Sequence, residues 1–169
     1  MNKIVPSLWF DTQCEEAMNY YVDTFNGSPY KKEESRIVSI TRYEKGMEAP
    51  GAEQMEGKVI TGIFELAGQR FMALDGGPVF QFSESISFFV ECEDQKEVDY
   101  FWNRLSAVAE SEQCGWCKDK FGLSWQIVPK QLGELMGGSD PARSMRVVNA
   151  MLKMHKIIVA DLQKAYDGE

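Results

Sequence analysis

The fold of this chain is decided by two octapeptides, MNYYVDTF at Met18–Phe25 and VDYFWNRL at Val98–Leu105. They lie 80 residues apart and share one order of bulky and polar positions. In both, apolar side chains recur at i, i+3, i+4 and i+7, which is the spacing of an amphipathic helix with one buried stripe. We interpret the pair as an internal duplication of one structural module.

Each octapeptide is preceded by the pattern of a capping box, Thr12-x-x-Glu15 in the first half and Asp94-x-x-Glu97 in the second. In a capping box the first side chain accepts a hydrogen bond from a backbone amide of the first turn, and the Glu reaches back to an amide before the helix. The sequence therefore predicts helices that begin directly after Thr12 and Asp94.

Segments with strand character surround both helices in a similar order. The apolar run Ile4–Phe10 precedes the first helix, and Ser85–Glu91 precedes the second. The later strands are predicted at Ser35–Tyr43, Lys58–Leu66, Gln69–Leu74, Cys114–Lys118 and Leu123–Val128. This order predicts an α+β fold of two repeated βαβββ modules that form a curved sheet with a cleft.

The predicted modules occupy about residues 1–75 and 78–129 of one domain, residues 1–129, and are joined by the turn DGGP at 75–78. Residues 130–169 do not continue the repeat. There Asp140-Pro141 has the form of an N-cap followed by proline at the first helical position, and Ile158–Tyr166 is predicted as a last helix. We expect a helical C-terminal extension.

The composition excludes several classes of protein. Eighteen Lys and Arg residues against 26 Asp and Glu residues give a net charge of −8, which disfavours binding to a phosphate backbone. No stretch approaches the roughly 20 apolar residues of a membrane span. We therefore expect a cytoplasmic protein with reduced cysteines and with neither a nucleic-acid nor a membrane partner.

The motif CGWC at Cys114–Cys117 allows two functional readings, a redox dithiol or half of a zinc site. A thioredoxin-type dithiol needs a helix N-terminus, whereas these residues fall on a predicted strand. A zinc site needs further ligands, and the chain has one histidine, His155. We favour cysteines that are buried or line a cleft, with Cys114 and Trp116 on one face.

Strand alternation divides the second sheet into two faces. The face packed against the helix is predicted to contain Ile86, Phe88, Val90, Leu123, Trp125 and Ile127. The other face mixes small polar groups with aromatic rings, as ligand clefts do. For the ligand-binding cleft we predict Phe10, Ser85, Ser87, Cys114, Trp116, Ser124 and Gln126.

Four segments carry a resemblance to known proteins. They are PSLWFDTQCEEAMNYYVDTF at 6–25, GQRFMALDGGPVFQFSESISFFVEC at 68–92, CGWCKDKFGLSWQIVP at 114–129 and NAMLKMHKI at 149–157. The order of elements resembles the vicinal oxygen chelate superfamily, which includes glyoxalase I, extradiol dioxygenases and bleomycin-resistance proteins. More closely, the segments resemble the PhnB-like family, often labelled 3-demethylubiquinone-9 3-methyltransferase.

The superfamily resemblance implies a divalent metal held by His, Gln or Glu side chains. The matching positions here are near Pro6, Phe64, Ser85 and Gln126. Only Gln126 is a plausible donor, and first-row metals need several N, O or S ligands. We therefore predict no metal site and no cofactor.

The methyltransferase label implies an S-adenosylmethionine site, which usually has a Gly-rich turn from a strand into a helix. The nearest pattern, Asp75-Gly76-Gly77-Pro78, is followed by Val-Phe-Gln-Phe. That sequence is not helical, so we interpret DGGP as a turn between modules, and a family label is not evidence of activity.

Two functions remain open from the sequence. The first is a small-molecule-binding, glyoxalase-like protein without the superfamily metal, of unknown ligand. The second is a metal-independent enzyme that uses groups such as Gln126, Ser85 and Cys114. The sequence leaves open whether a reaction is catalysed. The resemblance also implies a homodimer, to which we expect the helices of residues 140–166 to contribute.

Overall fold

The chain folds into two compact units, of which the first ends at Phe82 and the second begins at Ser83. The computed structural model describes residues 3–48 and 51–169. Each unit contains one sheet and one helix of the predicted repeat. The C-terminal helices belong to the second unit.

The first unit is a four-stranded sheet with one helix. Its elements are β1 Ser7–Phe10, α1 Cys14–Asn26, β2 Arg36–Arg42, β3 Val59–Leu66 and β4 Gln69–Asp75. The strand order is β1-β4-β3-β2, in which β1 runs parallel to β4 and the other pairs are antiparallel. A short 3-10 turn at Ala52–Met55 precedes β3.

The second unit has a three-stranded sheet and four helices. Its elements are β5 Ser87–Cys92, α2 Gln95–Leu105, β6 Trp116–Lys118, β7 Ser124–Pro129, α3 Lys130–Met136, α4 Pro141–Met151 and α5 Val159–Asp167. The strand order is β5-β7-β6, with β5 parallel to β7 and β6 antiparallel to it.

The two units repeat one topology, since in each the strand before the helix pairs in parallel with the last strand of the sheet. The α+β class is confirmed. The second module is one strand shorter than predicted, because a 3-10 turn at Ala109–Ser111 follows α2 where β2 follows α1.

The repeated octapeptides form the buried faces of α1 and α2. Met18 and Tyr21 are buried in the first helix, as are Val98 and Leu105 in the second. Helix α1 packs closely on β3 at Gly62, where an added Cβ would lie 2.5 Å from the sulfur of Met18. The glycine lets the helix pack directly on the strand backbone.

The predicted capping box at Thr12 is wrong. Helix α1 begins at Cys14, and its N-cap residue Gln13 makes no capping hydrogen bond through its side chain. Instead the amide of Cys14 donates to Oδ1 of Asp75, 2.8 Å away at the end of β4. Oδ2 of the same buried carboxylate accepts from the amide of Val59 at 3.0 Å. The start of α1 is therefore fixed by a residue distant in sequence.

The other two predicted caps are confirmed. Asp94 accepts a hydrogen bond from the amide of Glu97, and the Glu97 carboxylate accepts from the amide of Glu93 at 2.8 Å. Asp140 accepts from the amides of Ala142 and Arg143 at the start of α4. Both helices begin where local sequence alone specifies a cap.

The C-terminal helices share a small core of their own. It consists of the buried side chains Val128, Leu132, Val147, Ile157 and Leu162. Since Val128 belongs to β7, this core joins the helices to the end of the second sheet. Helix α3, which follows β7 directly, was not predicted.

Candidate functional site

The face of the second sheet that packs against α2 is centred on Trp125. Its register partners are Phe88 on β5 and Cys117 on β6, so the three side chains share this face. Trp125 and Cys117 are buried, and the ring of Phe88 lies 5.7 Å from that of Trp125. Trp125 is therefore confirmed as a residue of the buried core.

Asp119 fixes Trp125 and the turn between β6 and β7. Oδ2 of this buried carboxylate accepts from Nε1 of Trp125 at 2.8 Å. Its Oδ1 accepts from the amides of Phe121 and Leu123 at 2.8 and 3.0 Å. These bonds satisfy the buried carboxylate, so Asp119 has a structural role.

The opposite side of this sheet carries a mixed set of side chains, which we call the open face. Register pairs Ser87 and Lys118 with Ser124, and Phe89 and Trp116 with Gln126. The open face is therefore defined by Ser87, Phe89, Trp116, Lys118, Ser124 and Gln126. The predicted residues Ser87, Trp116, Ser124 and Gln126 are thus brought together on one face.

Two serines on neighbouring strands of the open face differ in their partners. Ser87 Oγ accepts a hydrogen bond from Nε2 of Gln126 at 2.8 Å, which leaves its own hydroxyl hydrogen unused in that bond. Ser124 is 2% exposed, and its Oγ has no hydrogen-bond partner among the described residues. A buried hydroxyl without a partner costs about 1–3 kcal/mol.

Lys118 supplies a positive charge beside Ser124. Its ammonium group donates to Oε1 of Glu84, in the turn that precedes β5. The lysine side chain is 21% exposed and the glutamate side chain 60% exposed. The hydrogen bond from Lys118 lowers the pKa of the Glu84 carboxyl from its ordinary value.

Aromatic and apolar surface borders these polar groups. Phe89 is 56% exposed and Trp116 is half-buried. Val128 follows Gln126 on the same side of β7 and is packed in the core of the C-terminal helices. The helical extension therefore covers the end of the open face beyond Gln126.

Two predicted positions in the segment before β5 do not lie on the strand. Ser85 lies in the turn before β5, where its Oγ is 2.7 Å from that of Ser83. Ile86, which was predicted to pack under α2, is 68% exposed. The strand placement of both residues is wrong, because β5 begins at Ser87, two residues later than predicted.

The prediction that Phe10 lines a cleft is wrong. Phe10 is buried, and its register partner on β4 is Asp75, whose carboxylate caps α1. Phe10 therefore lies on the helix-covered side of the first sheet, in edge contact with Phe82 at 5.2 Å.

The first half of CGWC is a turn and not a strand. Cys114 and Gly115 have φ values of 51° and 85° and connect Gln113 to Trp116, which form an isolated bridge. Two successive left-handed residues are typical of a type I′ turn. We had predicted that strand alternation would place Cys114 on one face with Trp116. That prediction is wrong, because Cys114 lies in the turn before β6.

The Cys114–Gly115 turn is a docking point for the C-terminal extension. The amide of Cys114 donates to the carbonyl of Met154, and the amide of Gly115 donates to that of His155, each at 2.8 Å. Nδ1 of His155 lies 2.7 Å from the carbonyl oxygen of Glu112. These contacts give His155 and the turn a structural role.

Three cysteines are buried thiols with little nucleophilic character. Burial raises the pKa of Cys14 and of Cys117 to about 12, and nearby Asp75 and Asp119 add to the respective shifts. Burial also raises the pKa of Cys92. The thiolate is the reactive form, so these residues are poor candidates for a nucleophile at neutral pH.

The positions implied by the superfamily resemblance carry few side chains that can ligate a metal. Phe64 is a fully buried core residue, and Pro6 has no ligating side chain. Lys118 places a cation on the same face as Gln126. Within residues 3–48 and 51–169, no three His, Cys, Asp or Glu side chains cluster so as to hold a metal ion.

The DGGP turn is shaped by Trp9. The indole Nε1 of Trp9 donates to the carbonyl of Gly77 at 2.9 Å. An added Cβ at Gly76 would lie 2.1 Å from the Trp9 ring. No helix follows before α2, so the turn does not have the form of a Gly-rich cofactor loop.

In the part of the chain that the structure describes, no helix is long and apolar enough to cross a membrane.

The two sheets, each built from a strand–helix–strand repeat, define the class of glyoxalase-like α+β folds. The chain belongs to the family described as 3-demethylubiquinone-9 3-methyltransferase, whose sequence model matches residues 2–128. This is the PhnB-like family. The match ends within β7, so helices α3, α4 and α5 lie outside it.

Solved structures agree with this assignment. One described as a putative 3-demethylubiquinone-9 3-methyltransferase, PhnB protein, from Bacillus cereus is 35% identical, with a TM-score of 0.60. The match covers 76% of this chain and 99% of that one. Protein PA1353 from Pseudomonas aeruginosa is 19% identical, with a TM-score of 0.56. That match covers 76% of this chain and 98% of PA1353, and at this identity it supports the fold but no shared function. No curated protein matches.

Proposed function

We propose that this protein binds a small molecule on the open face of its second sheet and does so without a metal ion. In this proposal it is a binding member of the PhnB-like family and, through it, of the vicinal oxygen chelate superfamily. The observation that carries the proposal is the difference between the two faces. One is filled by Trp125 and its neighbours, whereas the other presents hydroxyl, amide and ammonium groups beside exposed aromatic surface.

The chemistry of the open face supports binding by hydrogen bonds and apolar contact. Ligand sites typically combine apolar walls with a few polar groups that fix orientation. Phe89 and Trp116 supply the walls, and Ser87, Ser124 and Gln126 supply the polar groups. A binding role needs no titrating nucleophile, and the three buried cysteines do not offer one.

The open face offers few ligands for a metal ion. Gln126 contributes a neutral amide, whereas divalent ions prefer several anionic or imidazole ligands. The ammonium of Lys118, on the same face, repels a cation. The family's methyltransferase description is not part of this proposal, because the DGGP turn is filled by Trp9 and leads into no helix.

Native mass spectrometry of the purified protein tests the proposal, with elemental analysis of the same sample. We expect a small-molecule adduct that disappears on denaturation and is lost in Trp116→Ala, together with substoichiometric Zn, Ni, Fe and Mn. A matched control is Trp9→Phe, which alters an indole in the other unit. About one tightly held metal ion per chain that is lost in Gln126→Ala would refute the metal-free proposal. An adduct that survives both Trp116→Ala and Gln126→Ala would show that the binding site does not lie on the open face.

A further inference from the structure

The polar groups of the open face are rich in hydrogen-bond donors. Lys118 has only donors, and the hydroxyl of Ser87 keeps its hydrogen after accepting from Gln126. Glu84, which pairs with Lys118, belongs to the preceding turn and not to the sheet. A face with this set of groups favours a ligand that brings acceptor oxygens.

Ser124 identifies the place where such an acceptor is missing. Its Oγ is buried and has no hydrogen-bond partner in the described part of the chain. Its register neighbours are Ser87 on β5 and Lys118 on β6, so a second donor lies on either side of it. A ligand oxygen that accepts a hydrogen bond from Ser124 would satisfy a buried hydroxyl that the protein itself leaves unsatisfied.

Glu84 shows what kind of group Lys118 accommodates. A carboxylate already lies on the ammonium, and it comes from the more exposed partner of the pair, at 60% against 21%. The lysine is fixed on β6 by its register with Ser124. A ligand anion can therefore take the place of Glu84 without moving the strand.

From this arrangement we infer that the ligand carries an anionic oxygen group, a carboxylate or a phosphate, on an apolar body. The anion replaces the Glu84 carboxylate on Lys118 and accepts from Ser124 and Ser87, while the body lies against Trp116 and Phe89. This inference rests on the proposed function, because it specifies the chemistry of the ligand at the same face.

Calorimetric titration of the full chain with three probes tests the inference. The probes are 2-naphthoate, 2-naphthyl phosphate and the neutral 2-naphthamide, which share one aromatic body. We expect at least one anion to bind about tenfold more tightly than the amide, since hydrogen bonds to charged groups are the stronger ones. The tighter of the two anions distinguishes a carboxylate ligand from a phosphate ester.

Two variants with opposite expected effects separate binding from misfolding. Lys118→Gln should abolish the preference for the anions over 2-naphthamide. Glu84→Gln should strengthen anion binding by about two- to fivefold, because it removes an exposed competing carboxylate. The matched controls are Lys130→Gln and Glu93→Gln, which remove the same charges from an ion pair of 2.7 Å outside the open face.

The outcomes separate the inference from the proposed function. If the three probes bind with equal affinity, and Lys118→Gln does not change this, the inference of an anionic ligand is wrong. The proposed binding function is not affected by that result. Weaker anion binding in Glu84→Gln also overturns it. If no probe binds, the anion inference fails, and the adduct experiment, which uses none of these probes, decides the proposed function separately.

Discussion

Nε2 of Gln126 donates a hydrogen bond to Oγ of Ser87 at 2.8 Å and so joins β7 to β5 on the side of the sheet opposite Trp125. Adjacent residues of one strand therefore belong to different environments. Trp125 is part of the core, whereas Gln126 belongs to the face that we propose as the binding site.

Trp125→Ala should lower the free energy of unfolding by roughly 3–5 kcal/mol, because it removes a large buried side chain and leaves a cavity. Urea denaturation measures this loss. Gln126→Ala is the matched control and should lower the free energy by about 0.5–1.5 kcal/mol, the net contribution of one hydrogen bond. Equal losses in the two variants would contradict the assignment of the faces.

Asp75→Asn should destabilise the first unit by about 1–3 kcal/mol or more. The amide side chain cannot accept from the amides of both Cys14 and Val59, so one buried donor loses its partner. Thr12→Ala is the control, since α1 begins without a side-chain cap from this position. Thermal unfolding of both variants is the measurement, and a larger effect at Thr12 would restore the capping box that the sequence suggested.

The sequence predicted those features that depend on neighbouring residues. Apolar periodicity located α1 and α2, and alternation along β7 placed Trp125 and Gln126 on opposite faces. The caps at Asp94 and Asp140 were also readable, because each acceptor lies within three residues of its donors.

Features that depend on distant residues could not be predicted in this way. The cap of α1 comes from Asp75, 61 residues away from Cys14. The turn at Cys114 is held by carbonyls of the C-terminal extension, and no local pattern indicates that contact. Lys118 could have been added to the site, because it alternates with Trp116 on β6.

Thiol reactivity should distinguish Cys114 from the other cysteines. In the native protein at neutral pH, we expect Ellman's reagent to leave Cys14, Cys92 and Cys117 unmodified, because they are buried and burial raises the pKa of each thiol. All four should react in guanidinium. Rapid native modification of a Cys114→Ser variant would contradict the burial of the other three.

These thiols also predict a loss of stability at alkaline pH. The folded state holds the protons of Cys14 and Cys117 more tightly than the unfolded chain does, with pKa values of about 12 against an ordinary 9.0. The contribution of these two protonated thiols to the free energy of unfolding is fully present below pH 9.0. It is lost as the pH rises towards 12. The measurement is the free energy of unfolding, from urea denaturation, at several pH values between 8 and 11. It should fall less steeply with pH in a Cys14→Ala, Cys117→Ala double variant than in the wild type.

We propose that the protein is a homodimer, as its resemblance implies, with the C-terminal helices in the interface. Leu162 of α5 is buried within its own chain, whereas Met145 and Leu152 are exposed on and just after α4. Light scattering should give twice the 19.2 kDa of one chain. Met145→Glu combined with Leu152→Glu should shift the mass towards the monomer, and a monomeric wild type at micromolar concentration would refute the proposal.

The central claim is that the open face binds the ligand, and the indole signals of the four tryptophans test it most directly. In a titration of ¹⁵N-labelled protein with 2-naphthoate, assigned through Trp116→Phe and Trp125→Phe variants, the Nε1–H signal of Trp116 should shift in proportion to saturation. The signal of Trp125, whose Nε1 is bonded to Asp119 in the core, should move little. A saturating titration in which the Trp116 signal stays unchanged would contradict the account.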